Sequence, residues 1–246
     1  MEKNTHQDEN IILSQKDSKS AKEQRRSFLK YAGAGFAVLA SVSTGCNKEK
    51  EFDKQDPYDF GFDFKSGDIA ILNYAYALEQ LEAAFYTRVT KSPTFTTLFN
   101  ATEQSFLIDI RDHEIAHREY LKVVLLKQGI GALDLDFSSI DFTNRTSILT
   151  NAKAFEDLGV SAYNGVAFLI KSPVYLLVAG KISSVEGRHA AVISNLLKPG
   201  SFADPLATGG TLDSDGLEVA KSPTQVLSIA SKYIKSAIIT NNLPNF

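Results

Sequence analysis

Tryptophan is absent, the one methionine is the initiator, and cysteine occurs once, as Cys46. A single thiol excludes an intramolecular disulfide framework, an iron–sulfur cluster and a cysteine-based zinc site. The lack of internal methionine excludes a Met-rich copper site. No stretch reaches the roughly 20 apolar residues that a membrane-crossing helix needs. No basic run appears beyond residue 50 and the formal net charge is −3, which argues against a nucleic-acid partner. What is present is a chain of 246 residues, 43 % of them apolar, long enough for one domain with a sizeable core plus extensions.

The first 46 residues read as processing signal. Residues 1–24 are polar, as in a disordered leader. Arg25-Arg26-Ser27-Phe28-Leu29-Lys30 then precedes a mild apolar run from Tyr31 to Val42, a pattern that resembles a twin-arginine export signal. Ser43-Thr44-Gly45-Cys46 resembles a lipobox, with Ser43 where leucine is usual, so Cys46 is the expected lipidation site. Residues 47–67 read as a tether. Loss of residues 1–45, with seven Lys/Arg and five Asp/Glu, moves the net charge from −3 to −5. The expected location is the periplasm or cell envelope, with a lipid as the only membrane contact.

From Asp68 onward the periodicity is helical, without convincing period-two strands. A first helix is expected from Asp68, as N-cap, to Thr90, and a short segment from Ser92-Pro93 to Phe99. A second runs from Thr102 to Gln128, with Gly129 as its stop. Residues 129–145 form a long crossover, and a third helix spans Thr146 to Lys171. Ser172-Pro173 opens a fourth that ends before Pro199-Gly200. After a loop over 200–221, Ser222-Pro223 starts a short helix to Ile239. The fold class is therefore all-α: a four-helix bundle over 68–199, with a C-terminal loop and helix over 200–246 packing on it.

Beyond residue 46 there are three histidines, and two of them follow a glutamate by three positions: Glu114 and His117, Glu186 and His189. Positions i and i+3 share one helix face, so each pair can grip one ion. Both pairs interrupt an inward apolar stripe: Leu107, Ile110, Glu114, His117, Leu121, Val124, and Ala179, Ile182, Glu186, His189, Ile193, Leu196. The other two helices each place a lone glutamate on the seam with a tyrosine seven residues on: Glu79 with Tyr86, Glu156 with Tyr163. The halves look like a duplication. Glu82, one turn from Glu79, is the rival ligand, although Gly159 stands at its counterpart position in the third helix. Charged groups on a core stripe are costly unless compensated, and metal ions compensate them well.

One glutamate from each of two helices plus Glu-x-x-His from each of the other two is the ligand set of carboxylate-bridged dimetal bundles. Four carboxylates balance two divalent ions. Oxygen donors with one nitrogen per ion suit two Fe, or alternatively Mn, and leave positions for O₂ or peroxide. The expected centre has its ions about 3.5–4 Å apart, bridged by Glu114 and Glu186 and capped by Glu79, Glu156, His117 and His189. Tyr86 and Tyr163 are expected as core aromatics, or as hydrogen-bonding neighbours of the ligands.

The stretches Leu72-Asn73-Tyr74-Ala75-Tyr76-Ala77-Leu78-Glu79, Leu81-Glu82-Ala83-Ala84-Phe85-Tyr86, Asp112-His113-Glu114-Ile115-Ala116-His117, Phe155-Glu156-Asp157-Leu158-Gly159 and Glu186-Gly187-Arg188-His189-Ala190-Ala191 resemble the exported ferritin-like domain proteins that include desiccation-related proteins. The resemblance covers residues 68–197. It implies a ferritin-like fold and the ligands Glu79, Glu114, His117, Glu156, Glu186 and His189, but no reaction, and no catalytic residue is assigned.

Three readings stand beside each other. The centre reacts with O₂ or peroxide as a di-iron or di-manganese oxidoreductase, or it stores metal, or the bundle is a metal-free structural protein of stress responses. A fourth rests on His113-Glu114-x-x-His117, the pattern of zinc metalloproteases. That reading leaves Glu186 and His189 unexplained and lacks a substrate-binding sheet. The oligomeric state stays open, including a homo-oligomer.

Overall fold

A computed structural model describes residues 62–203, 212–213 and 215–243. The export signal, Cys46 and most of the tether lie outside the described residues. Four long helices make the body: α1 (Gly67–Lys91), α3 (Ala101–Leu125), α4 (Arg145–Val166) and α5 (Pro173–Leu197). A single turn, α2 (Phe95–Leu98), joins the first pair, and α6 (Pro223–Ala230) follows the bundle. Among the described residues no helix is long and apolar enough to cross a membrane.

Local chemistry sets most of the helix starts. Asn100 caps α3, accepting from the Thr102 and Glu103 amides while Glu103 reaches back to the Asn100 amide. Asn144 caps α4 through the Ser147 amide, so the Asn144-Arg145-Thr146 tripeptide is a helix start. Ser172-Pro173 opens α5 and Ser222-Pro223 opens α6, each with the serine as cap and proline in the first turn. Asp68 does not cap α1. Its carboxylate accepts from the backbone amides of Lys171 and Ser172, tying the start of α1 to the start of α5.

The helix α1 is buried almost all round from Ala70 to Ala83. Two of its polar residues make that tolerable. Asn73 donates to the carbonyls of Phe64 and Gln128 and accepts from the Ile130 amide. Gln80 donates to the Gly131 carbonyl and accepts from the Leu133 amide. The start of the crossover after α3 is thereby laid along α1, with the backbone groups of Gln128, Ile130, Gly131 and Leu133 paired. Phe137 and Phe142 of the crossover pack with Phe85, Phe155 and Tyr233, and the Phe85 and Phe155 ring centroids lie 4.9 Å apart. This aromatic cluster backs α1 and α4 beside Tyr86.

The C-terminal helix is shorter than the sequence pattern implies. It ends at Ala230 and continues as one 3₁₀ turn, Ser231–Tyr233. The chain then extends, because its backbone finds better partners than another helical turn. The Asp136 amide donates to the Tyr233 carbonyl and the Lys235 amide to the Asp134 carbonyl. The strand β2 (Ile238–Ile239) lies parallel to β1 (Phe62–Asp63). Phe64 is buried, so the last residues of the expected tether belong to the folded body.

Candidate metal centre

The inward faces of α1, α3, α4 and α5 bring the expected ligands to one point. Glu79, Glu114, Glu156 and Glu186 are fully buried, His189 nearly so, and His117 is 12 % exposed. The stripe positions around them are hydrophobic, with Leu107, Ile110, Leu121, Ala179, Ile182 and Ile193 buried and Val124 and Leu196 half-buried.

The side chains form two overlapping sets: Glu79, Glu114, His117 and Glu186, and Glu114, Glu156, Glu186 and His189. In each set, one potential ligand atom per residue lies within 4.8 Å of all the others. Glu114 and Glu186 belong to both. His117 Nδ1 lies 2.9 Å from Glu186, 3.4 Å from Glu79 and 3.5 Å from Glu114. His189 Nδ1 lies 2.6 Å from Glu114, 3.5 Å from Glu156 and 3.9 Å from Glu186. Each imidazole thus sits closest to the glutamate of the opposite Glu-x-x-His helix.

These approaches are close, but the angles are not those of hydrogen bonds. Glu79 Oε2, both oxygens of Glu114, Glu156 Oε2, both oxygens of Glu186 and the Nδ1 atoms of His117 and His189 are buried without a hydrogen-bond partner. Eight such atoms gathered at one point are rare in a folded interior, where polar groups are almost always paired. The two remaining oxygens of the outer glutamates are satisfied. Tyr163 donates to Glu79 Oε1 and Tyr86 to Glu156 Oε1, each at 2.5 Å. The tyrosines cross between the halves, since Tyr86 of α1 serves the glutamate of α4 and Tyr163 of α4 serves that of α1.

The electrostatics are those of crowded acids. Burial lifts the Glu114 carboxyl to about 7, against the pull of His117 and His189. Burial and the Glu114 and Glu79 charges push Glu186 well above the carboxylate range. Burial alone would lower both imidazoles, but their carboxylate neighbours outweigh it. His189 rises to about 11 through Glu156 and Glu114. His117 rises well above the imidazole range through Glu114, Glu186 and Glu79. Burial and Glu156 raise Tyr86, and burial and Glu79 raise Tyr163, so both phenols stay protonated donors.

Glu82 is buried but belongs to neither set. The residue grouped with His117 is Glu79. His113 also lies outside both sets, its Nδ1 2.9 Å from His189 Nε2 and its ring stacked on that of His189. It supports one ligand from the outer side, and this geometry does not fit the protease pattern, which needs His113 and His117 on one ion. The signal for the His113 contact was faint in the sequence, because that histidine sits one residue off the inward stripe. Above it, Phe106, Ile110, His113, Val185, Arg188 and His189 line a cavity of about 170 Å³ between α3 and α5.

No curated protein matches this sequence. A family model described as a ferritin-like domain matches residues 67–199, more than half of the chain and all four long helices. With six carboxylate and imidazole residues converging inside that bundle, the chain belongs to the ferritin-like domain family.

Proposed function

We propose that this protein holds two metal ions, iron or manganese, and uses them in redox chemistry. Glu79 and His117 would hold one ion, Glu156 and His189 the other, with Glu114 and Glu186 shared. The observation that carries this reading is the set of eight buried ligand atoms without hydrogen-bond partners. Their chemistry fits: oxygen donors with one imidazole per ion suit Fe and Mn, and four carboxylates match the charge of two divalent ions. When bound, such ions supply electron transfer to O₂ or peroxide.

The chain's own residues set the terms of that chemistry. The aliphatic stripes keep bulk water from the ligands. Tyr86 and Tyr163 fix the outer glutamates by their hydrogen bonds and hold a proton beside each half of the site. A space of about 170 Å³ between α3 and α5 ends on His113 and His189, roomy enough to admit O₂, peroxide or a small organic molecule. Steady turnover of peroxide by the metal-loaded protein, lost in Glu114→Ala, is the expected result. Metal that no oxidant converts would leave storage or bundle stability as the role.

The N-terminal sequence supports export by a twin-arginine route, which carries folded cargo and suits a metal loaded before transport. It also supports a lipid anchor at Cys46. The wild type should then partition with membranes and Cys46→Ser should be released; a soluble wild type would refute the anchor.

A further inference from the structure

Five arginines lie among the described residues, and four of them are engaged. Arg88 sits over the Phe142 ring, Arg111 pairs with Asp112, Arg118 with Glu119 and Arg145 with Glu103. Arg188, exposed on α5 one position before His189, makes no hydrogen bond, ion pair or ring contact among the described residues. It borders two spaces between α3 and α5. The inner one, about 170 Å³, ends on His113 and His189. The outer one, about 500 Å³, reaches Asn195, Leu196 and Phe202. Phe106, Arg188 and Val192 line both, so the two form one groove with the guanidinium at its junction. Phe106 and Phe202 are 41 % and 64 % exposed, which leaves two rings with apolar surface to bury beside that charge.

The two spaces differ in chemistry. Arg188 and Asn195 are the polar residues of the outer space, and no acid lines it. The inner space adds Asp109 and is otherwise apolar up to the two imidazoles, with Ile110 and Val185 on its walls. From the unpaired guanidinium at this junction we propose that the groove binds a short-chain organic carboxylate, its head on Arg188 and Asn195 and its apolar tail running over Phe106 toward His113 and His189. A guanidinium fork matches a carboxylate in two parallel hydrogen bonds, and the asparagine amide adds a donor. Asp109 turns the negative head away from the inner space, and one cation balances a single negative charge. A site with an apolar lining and a few convergent polar groups is the usual form of a small-molecule site. The tail ends beside the candidate metal centre; that this makes the carboxylate a substrate rests on the dimetal reading above.

The test is calorimetric titration of the full-length protein, stripped with chelator and also loaded anaerobically with ferrous iron, using hexanoate, acetate and hexylamine as probes. Hexanoate should bind saturably to both forms, at least tenfold tighter than hexylamine. It should also bind at least tenfold tighter than acetate, since each buried methylene tightens binding several-fold. Arg188→Gln should weaken hexanoate at least tenfold and Phe106→Ala several-fold. Both residues are exposed, so the variants keep the fold. In the metal-free protein the ring-proton resonances of His113 should shift on titration with hexanoate. Absence of saturable binding, or equal affinity for hexylamine, overturns the proposal. Binding that needs metal and ignores Arg188→Gln overturns it too, because the carboxylate then sits on the ions. Arg188-dependent binding by a protein that takes up no iron upholds the groove and refutes the dimetal reading.

Discussion

Raising the pH from about 7 to about 9 should weaken the metal-free protein and spare the metal-loaded one. In the absence of metal, the site holds protons where ions would sit. An unfolded imidazole releases its proton near 6.5, whereas His189 keeps its own to about 11 and His117 is raised as well. Over this range the folded state binds more protons than the unfolded chain, so stability falls as the pH rises. The contribution is complete below about 6.5 and is lost on passing through the folded values. Glu114, raised to about 7, acts in the same direction at lower pH.

Each retained proton is worth about 1.4 kcal/mol per pH unit, so one to two of them amount to roughly 3–5 kcal/mol over two units. For a folded body of this size that corresponds to a fall in Tm of about 6–20 °C. Bound metal reverses the sign, because the ligands must shed their protons to bind it, and affinity increases with pH. Thermal unfolding followed by circular dichroism at constant ionic strength, on chelator-stripped and reloaded protein, measures both arms. A metal-free Tm that stays level or climbs with pH would show that the six side chains are not the coupled cluster described above.

Two substitutions probe the packing around the site. Gly165→Ala would drive a methyl group into the Lys221 backbone carbonyl, where the chain before α6 crosses α4. That clash should cost about 1–3 kcal/mol, seen in denaturant unfolding, with metal content unchanged. Tyr86→Phe and Tyr163→Phe each release one outer glutamate oxygen, and each should weaken metal binding roughly 10–100-fold in competition with a chromophoric chelator. Equal weakening by the two is expected, because their hydrogen bonds are the same length.

The bundle and its converging glutamates and histidines were legible in the sequence because both obey one rule, the three-and-four spacing of a helix face. Glu114, His117, Glu186 and His189 fall on apolar stripes where charge has no other explanation. Which of Glu79 and Glu82 groups with His117 was not legible in the same way. Glu82 lies one turn from Glu79 on that same face, and only the opposing Gly159 separates them. Contacts between distant segments left no periodic trace. Asp68 reads as a helix cap, yet its partners are the amides of residues 171 and 172. Asn73 and Gln80 hold the crossover in place through contacts that no spacing along α1 announces. The segment after Ala230 keeps a helical look, and it extends because residues 134–136 and 62–63 offer it backbone partners.

The most direct measurement is the metal content of the full-length protein, purified without chelators and analysed element by element. About two Fe or Mn per chain, lost in the His117→Ala, His189→Ala double variant, is the expected result. One zinc that survives loss of His189 would return the His113–His117 pair to consideration. No metal, even after anaerobic loading with ferrous iron, would contradict the dimetal centre and make the buried glutamates and histidines a structural network.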